Sequence, residues 1–516
     1  MTLQRKVVVA SVACALLAGL AAFSLLLAER AQQPRVAASP APSSASAQAA
    51  TPAAPASPPW PRSIRSLVIG GGPLPDSSEI SLEQNVTLAL SVLPAPSVVL
   101  FGGGPGTQSV RVDDVPQERS LTVRLGELFA PRPSRSSRFR ASELAAGRAD
   151  LASVEAAFER ALAEDTAAPL TVYIAAHGEQ AQAPADNAAL VWGNDALTAR
   201  RIAELHDASQ RPLQLIVTSC FSGGFAELAF RAADEVLGIA GAPRCGLFAG
   251  PWDRETSGCD PDPDRAAQES YSLHMLHALT QRDRDGRPLP LQRVDFDRDG
   301  QVSPLEAHAY ARIAARSIDM PTTTSERYLR SVQPTIALDG DATELLPEDA
   351  AVALELARVL ELPTADGANR ALRELQSSSA AQAERIAGAQ DELDHAYWPL
   401  VTQLLERFPV LDDPYHPLLA PTLRDHADEI DALLTRSPQA RAHRAAAQAL
   451  VVLDAHAIEL ELRETLLLRL VRARETLTLA AALERRGGAD LARYRALLAC
   501  ERSPLSVHSG AAPDMP

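Results

Sequence analysis

Short apolar runs rich in β-branched residues alternate with amphipathic stretches over residues 63–340. The runs 67–69, 98–101, 170–175 and 213–217 carry apolar residues on both faces, and the segments between several of them have helical spacing. Strands that are apolar on both faces are typical of parallel sheets covered by helices on each side. The pattern therefore predicts an α/β domain with a doubly wound, mostly parallel sheet and helices on both faces.

Beyond about residue 345 the strand signals stop and the apolar positions follow helical spacing. Leu- and Ala-rich helices of this length need partners to bury their apolar stripes, so hairpins or a bundle are expected. A coiled-coil oligomer is the alternative, although the apolar positions do not keep a heptad. We therefore expect an all-α C-terminal domain, residues 345–510, with helices near 348–360, 368–408, 426–435 and 439–486. Pro399 predicts a break in the second of these helices.

The segment 7–28 carries no charged residue and follows Arg5 and Lys6. At about 1.5 Å per residue it is long enough to cross a hydrocarbon layer of about 30 Å. We expect residues 1–30 to be a signal anchor in the inner membrane, with the bulk of the chain in the periplasm or extracellular space. An Ala/Pro/Ser-rich linker, residues 31–62, would act as a tether. A cleaved signal peptide, and hence a secreted protein, is the alternative.

The charge and the cysteine content of the chain exclude some classes of protein. The 49 Lys and Arg residues are outnumbered by 65 Asp and Glu residues, which gives a formal net charge of −16. Without a basic stripe against this acidic background, a nucleic-acid partner is not expected. Five cysteines are too few for a disulfide-based scaffold. Spacing alone leaves open whether Cys245 and Cys259 form a disulfide or stay free thiols.

Two reactive side chains follow predicted neighbouring strands. His177 comes after the run 170–175, and Cys220 comes after the run 213–217. Since the carboxyl ends of parallel strands meet at one edge of a sheet, an imidazole and a thiol are expected together there. A cysteine nucleophile attacks as a thiolate, which a nearby imidazolium stabilises. A small buried cysteine and a satisfied polar histidine, neither of them catalytic, are the alternative interpretation.

His177-Gly178 and Cys220-Phe221-Ser222-Gly223 resemble the motifs of the caspase-like (clan CD) cysteine peptidases, which include caspases, metacaspases, legumains and gingipains. The legumain and metacaspase types are the most similar. The resemblance implies a caspase-like fold over residues 63–340 and an endopeptidase in which Cys220 attacks the peptide carbonyl and His177 transfers the proton. The N–H groups of Gly178 and Cys220 would then hold the oxyanion.

The resemblance also extends to substrate binding. The stretch 253–257 is similar to the metacaspase loop that helps to line the specificity pocket, which makes Asp253 a candidate substrate-binding residue. Thr218 and Ser219 stand where metacaspases and legumains have an acidic residue close to the nucleophile. The residue preference of the enzyme is therefore left open.

A third motif has the ligand spacing of an EF-hand calcium loop. Positions 1, 3 and 5 are Asp, position 6 is Gly and position 12 is Glu. The prolines before the loop rule out an entry helix. We therefore expect half an EF-hand, with a bound ion that stabilises the fold rather than acting as a sensor. An acidic turn without an ion is the alternative. The predicted Ca²⁺ ligands are Asp295, Asp297, Asp299, Gln301 through its backbone carbonyl, Ser303 and Glu306.

Together these features predict a membrane-tethered, calcium-stabilised cysteine endopeptidase acting on a peptide or protein substrate. The helical domain is expected to be autoinhibitory or to dock a partner. The main alternative is a catalytically inactive, caspase-like calcium-binding scaffold that presents its helices to another protein. A cysteine hydrolase acting on small amides is a third interpretation.

Overall fold

The computed structural model describes residues 60–114, 120–129, 136–332, 342–362 and 364–505. Its strands are β1 (Ser66–Gly70), β2 (Ser97–Phe101), β3 (Gln108–Asp114), β4 (Ser136–Ala141), β5 (Leu170–Ala175), β6 (His177–Glu179), β7 (Ala188–Val191), β8 (Asp195–Thr198), β9 (Leu213–Val217), β10 (Arg244–Phe248) and β11 (Thr322–Thr323).

The helices divide into those that surround the sheet and those that follow it. The first group is α1 (Ile80–Leu90), α2 (Leu121–Phe129), α3 (Leu151–Leu162), α4 (Ala199–Asp207), α5 (Tyr271–Thr280), α6 (Pro304–Ala314) and α7 (Thr324–Ser331). The second group is α8 (Pro347–Leu360), α9 (Ala365–Arg407), α10 (Leu419–Asp425), α11 (Ala427–Arg436), α12 (Pro438–Arg486) and α13 (Gly488–Arg502).

Six strands form the central sheet in the order β2-β1-β5-β9-β10-β11. The first five are parallel, and β11 pairs antiparallel with β10. The parallel strands follow the doubly wound order 2-1-3-4-5, in which chain direction across the sheet reverses between β1 and β5. This confirms the predicted α/β class and the mostly parallel sheet.

The sheet separates two apolar layers, as alternation along a strand requires. Val68 and Tyr173 face one layer, which includes Met275 of α5. Ile69 and Ile174 face the other layer, which includes Phe158 of α3. Helices therefore cover both faces, and the loops at the carboxyl ends of the strands are left to carry polar groups.

The C-terminal region is helical, and α9 and α12 form a long antiparallel hairpin. Gln382 of α9 donates to the carbonyl of Leu453 in α12 at 2.7 Å, and Gln376 lies 3.3 Å from Glu464. Helix α9 continues through Pro399, where the proline suggested a break. At the far end of the hairpin, Leu404 packs in a cluster that includes Leu125 of α2.

The near half of the hairpin packs directly on the sheet region. The buried side chain of Arg469 in α12 donates to the backbone carbonyls of Arg312, Ala315, Ser317 and Asp319. A disulfide joins Cys245 of β10 to Cys500 of α13. This bond excludes the pairing of Cys245 with Cys259 that the spacing left open. Cys259 is a free thiol.

The predicted signal anchor, residues 1–30, lies outside the described residues, as does most of the linker 31–62. Within the part of the chain that the structure describes, no helix combines the length and apolarity needed to cross a bilayer. This finding corrects the predictions of a membrane anchor and of a periplasmic location. Neither is part of the function proposed for the protein.

Candidate active site

Four polar side chains gather beyond the carboxyl ends of the parallel strands. Glu79 follows β1, His177 follows β5, Cys220 follows β9 and Cys259 follows β10. Ile174 of β5 is in register with Val217 of β9, so the segments leaving these two strands start side by side. The topology thus collects residues that are up to 180 positions apart in sequence at one edge of the sheet.

His177 is held by a carboxylate. It begins the short strand β6, where it pairs with Leu190 of β7. Its Nε2 lies 2.9 Å from Oε2 of Glu79, and the imidazole is about one quarter exposed. Glu79 is the extended residue immediately before α1, and it is buried. A buried acceptor on one ring nitrogen fixes the orientation of the imidazole.

Interactions with Cys259 and with Glu79 raise the pKa of His177 to about 11, against the desolvation that opposes charging. Desolvation of its sulfur raises the pKa of the Cys259 thiol, although Cys259 as a residue is exposed. A neutral thiol supplies no charge to stabilise an imidazolium. The carboxylate of Glu79 is therefore the group that keeps His177 protonated.

Cys220 sits at a sharp turn out of β9. Phe221 has a φ of +58°, and a 3-10 helix, Ser222–Ala229, follows it. A Cβ on Gly223 would lie 2.6 Å from the backbone of Pro251, so only glycine fits there. Cys220 is a partly exposed free thiol whose Sγ accepts the backbone N–H of Thr256 at 3.3 Å. The thiol in turn donates to the carbonyl of Thr256 at 3.5 Å.

Gly178 packs against Cys220. A Cβ on Gly178 would lie 1.9 Å from the Cys220 carbonyl oxygen and 3.0 Å from its nitrogen. The predicted histidine and cysteine are thus carried by touching segments. Their side chains have different partners, however: Nε2 of His177 bonds to Glu79, and Sγ of Cys220 bonds to Thr256.

The loop that carries Thr256 is fixed to the helical region through Asp319. Ser257 donates its backbone N–H to Asp319 at 2.6 Å, and its hydroxyl donates to the same carboxylate. The backbone carbonyl of Asp319 in turn accepts from Arg469 of α12 at 2.8 Å. The position of the donor to Cys220 therefore depends on Arg469, which is 213 residues from Thr256 in sequence.

Asp253 lies in a cleft beside this loop. The cleft has a volume of about 660 Å³ and is bordered by Gly223 and Trp252 on the sheet side. Val471 and Glu475 of α12 form its opposite wall. The side chain of Asp253 is exposed, three residues from Thr256, and open to a ligand entering the cleft.

The acidic loop matches its predicted ligand set only in part. One carboxylate oxygen from each of Asp295, Asp297 and Asp299 lies within 4.8 Å of the others. Ser303 instead caps α6 by accepting the Glu306 N–H at 3.1 Å. Buried Glu306 accepts backbone N–H groups from Phe296, Asp297 and Ser303, and Gln301 is exposed. The loop thus brings together three of the four predicted carboxylate ligands.

Sequence reasoning missed two members of this site. Glu79 precedes a helix, like many residues that cap a helix, and nothing local links it to a histidine 98 residues later. Spacing alone indicated only that Cys259 is either a disulfide partner of Cys245 or a free thiol. Its position after the fifth parallel strand was the signal that could have placed it beside His177, because all four loops leave the same edge of the sheet.

Comparison with protein-family models, with curated proteins and with solved structures finds no significant match to the chain.

Proposed function

We propose that the protein is a cysteine endopeptidase of the caspase-like type, with Cys220 as nucleophile and His177 as the proton-transfer residue. One observation carries the proposal: a histidine bound to a buried carboxylate lies on a segment that touches the segment of a partly exposed free cysteine. A nucleophile, an imidazole and a group that orients the imidazole are the parts that covalent acyl transfer needs. Glu79 takes the orienting role.

In the proposed reaction, the Cys220 thiolate attacks the carbonyl carbon of the scissile peptide bond and forms a C–S bond. The N–H groups of Gly178 and Cys220 donate to the resulting oxyanion. His177, protonated through its contact with Glu79, gives a proton to the leaving amine as the C–N bond breaks. Water then attacks the thioester, His177 takes up a proton from it, and the carboxylic acid product leaves Cys220.

The cleft beside Asp253 is the proposed binding site for a substrate side chain. It starts at Gly223, three residues after the nucleophile, and Asp253 gives it an exposed carboxylate, whereas Glu475 pairs with Arg330. A basic substrate residue would complement the charge of Asp253. Since α12 forms one wall, the helical region contributes to substrate docking in this proposal.

The test is hydrolysis of a peptide library by the full chain, combined with covalent labelling by a thiol-reactive peptide probe. We expect cleavage to be lost in Cys220→Ala and labelling of Cys220 to be lost in His177→Ala. The matched control is His395→Ala, which removes an exposed histidine of α9 remote from the catalytic pair. Equal labelling of Cys220 in wild type and His177→Ala would mean an ordinary thiol, and would favour the inactive scaffold. Turnover of small amides without peptide cleavage would indicate a different cysteine hydrolase.

We also propose that the loop 295–306 binds Ca²⁺, with Asp295, Asp297 and Asp299 as its core ligands. Oδ1 of Asp295 is buried without a hydrogen-bond partner, and it belongs to the residue at loop position 1. Three clustered carboxylates repel one another unless a cation offsets their charge. The ion would stabilise the start of α6, which packs into the core through Leu305 and Ala307.

Calcium should raise the melting temperature of the wild-type chain, and Asp297→Asn should abolish most of that increase. Asp285→Asn is the matched control, since Asp285 is an exposed acid in the preceding turn and pairs with Arg287. An equal calcium response in wild type and Asp297→Asn would contradict a site in this loop.

A further inference from the structure

A second cluster at the edge of the sheet has a donor set unlike that of the acidic loop. One ligand atom each from Glu79, His177 and Cys259 lies within 4.8 Å of the others. The three donors are a carboxylate oxygen, an imidazole nitrogen and a thiol sulfur. Calcium and magnesium prefer oxygen alone, whereas zinc accepts exactly this mixture of donors.

We propose that Glu79, His177 and Cys259 form a Zn²⁺ site, and that zinc bound there withdraws His177 from proton transfer. Ligands at zinc–donor distances in a tetrahedral arrangement lie roughly 3.3–3.8 Å apart. The Glu79 oxygen and the His177 nitrogen lie 2.9 Å apart, which is slightly closer than this spacing. All three donor atoms lie within 4.8 Å of one another, which is slightly wider than it. Small side-chain movements would therefore suffice to admit the ion.

The segments that carry the three ligands are fixed to one another. Ser81, two residues after Glu79, accepts the backbone N–H of Asp260 at 2.7 Å through its hydroxyl. The carbonyl of Asp260 accepts the backbone N–H of Ser81 at 3.3 Å. These reciprocal bonds tie the residue next to Cys259 to the start of α1, which Glu79 precedes. A metal site needs such positioned ligands, because ordering them at the moment of binding costs affinity.

The site is also open on one side. His177 is partly exposed, so an ion from solution can reach its ring, which lies within 4.8 Å of the Cys259 sulfur. Three protein ligands leave a fourth zinc position for water. On binding, zinc takes the place of two protons, that of the Cys259 thiol and the one that His177 shares with Glu79, and both pass to solvent. The Cys259 sulfur, which is uncharged when no metal is bound, thus becomes a thiolate ligand.

The consequence for activity rests on the proposed function. His177 cannot protonate a leaving amine while its ring nitrogen is bound to zinc, so peptide hydrolysis should fall as the site fills. Cys259 would then be the residue that makes the enzyme sensitive to zinc without taking part in the reaction. Metal binding itself needs neither Cys220 nor any peptidase activity.

The test measures zinc affinity of the full chain by competition with a chromophoric chelator, with Co²⁺ as a spectroscopic substitute. The Cys220→Ser variant should bind one zinc ion like wild type and show a thiolate-to-cobalt charge-transfer band. Cys259→Ser should lose that band and at least about 100-fold in zinc affinity, since loss of second-shell partners alone costs about 10–100-fold. Glu79→Gln should weaken binding, whereas its control, the exposed Glu255→Gln, should not.

Two results would overturn the proposal. One is equal zinc affinity in wild type and Cys259→Ser. The other is a cobalt–thiolate band that disappears in Cys220→Ser and persists in Cys259→Ser, which would assign the thiolate ligand to Cys220. Absence of peptide cleavage by metal-free wild type, with zinc binding as expected, would refute the peptidase and leave the metal site standing.

Discussion

A Cβ atom on Gly178 would lie 1.9 Å from the carbonyl oxygen of Cys220. The residue after the proposed acid–base group therefore has to be glycine for the nucleophile segment to approach. This contact joins the ends of β5 and β9 more tightly than strand pairing alone. The close approach of the two backbones therefore helps to set the position of the Cys220 thiol relative to the His177 imidazole.

Gly178→Ala should push these two segments apart. We expect a loss of stability at the upper end of the range of about 1–3 kcal/mol typical of overpacking, and a loss of any peptide hydrolysis. Denaturant unfolding and the peptide assay measure the two effects. Gly388→Ala is the control, because a Cβ there meets nothing within 4 Å inside α9 and alanine favours a helix. Wild-type behaviour of Gly178→Ala would contradict the close approach.

Arg469→Met should destabilise the contact between the helical region and the sheet region. The buried guanidinium serves four backbone carbonyls, which methionine would leave without donors. Each buried carbonyl left without a donor costs about 1–3 kcal/mol. Because Asp319 also anchors the loop of Ser257 and Thr256, the variant should lower kcat/KM as well. The exposed Arg463→Met, on the same helix, should change neither quantity.

The disulfide between Cys245 and Cys500 should contribute about 2–5 kcal/mol, since it closes a long loop in the unfolded chain. Thermal unfolding of the wild type should shift to lower temperature with a reductant. Cys500→Ala should unfold at a similarly lowered temperature and lose the response to the reductant. Cys259→Ser, which alters a free thiol, should keep that response; its loss would show that Cys259 takes part in a bridge.

Glu501 should make the protein less stable as the pH rises. Burial raises the pKa of this carboxyl group to about 8, whereas in the unfolded chain it is close to its ordinary value of about 4.3. The folded state thus binds the proton more tightly, and this stabilisation is lost between about pH 4 and 8. In Glu501→Gln the amide keeps an acceptor for the Ser325 N–H and carries no charge.

The melting temperature of Glu501→Gln should therefore exceed that of wild type by more at pH 8 than at pH 5. The control is Glu459→Gln, which alters an exposed carboxylate in α12. A constant difference between Glu501→Gln and wild type across this pH range would refute the assignment of the pH dependence to Glu501.

The apolar patterns predicted the architecture because each strand or helix has its own apolar side chains to bury. Runs such as 170–175 and 213–217 indicated buried strands, and the Leu- and Ala-rich stretch 439–486 indicated a long helix. The rule that parallel strands end at one edge also predicted where His177 and Cys220 would lie. Helix α9 passing through Pro399 shows the limit of a local rule when neighbouring packing compensates.

The sequence by itself determined the α/β sheet, its helical continuation and the strand ends that carry His177 and Cys220, since these depend on local periodicity. Only the tertiary structure decided that Glu79 and Cys259 meet His177, that Cys245 pairs with Cys500, and that Arg469 supports the loop beside Cys220. These partners are 82 to 255 positions apart. Contacts over such separations depend on how strands and helices are stacked, and no short-range pattern in the chain encodes that.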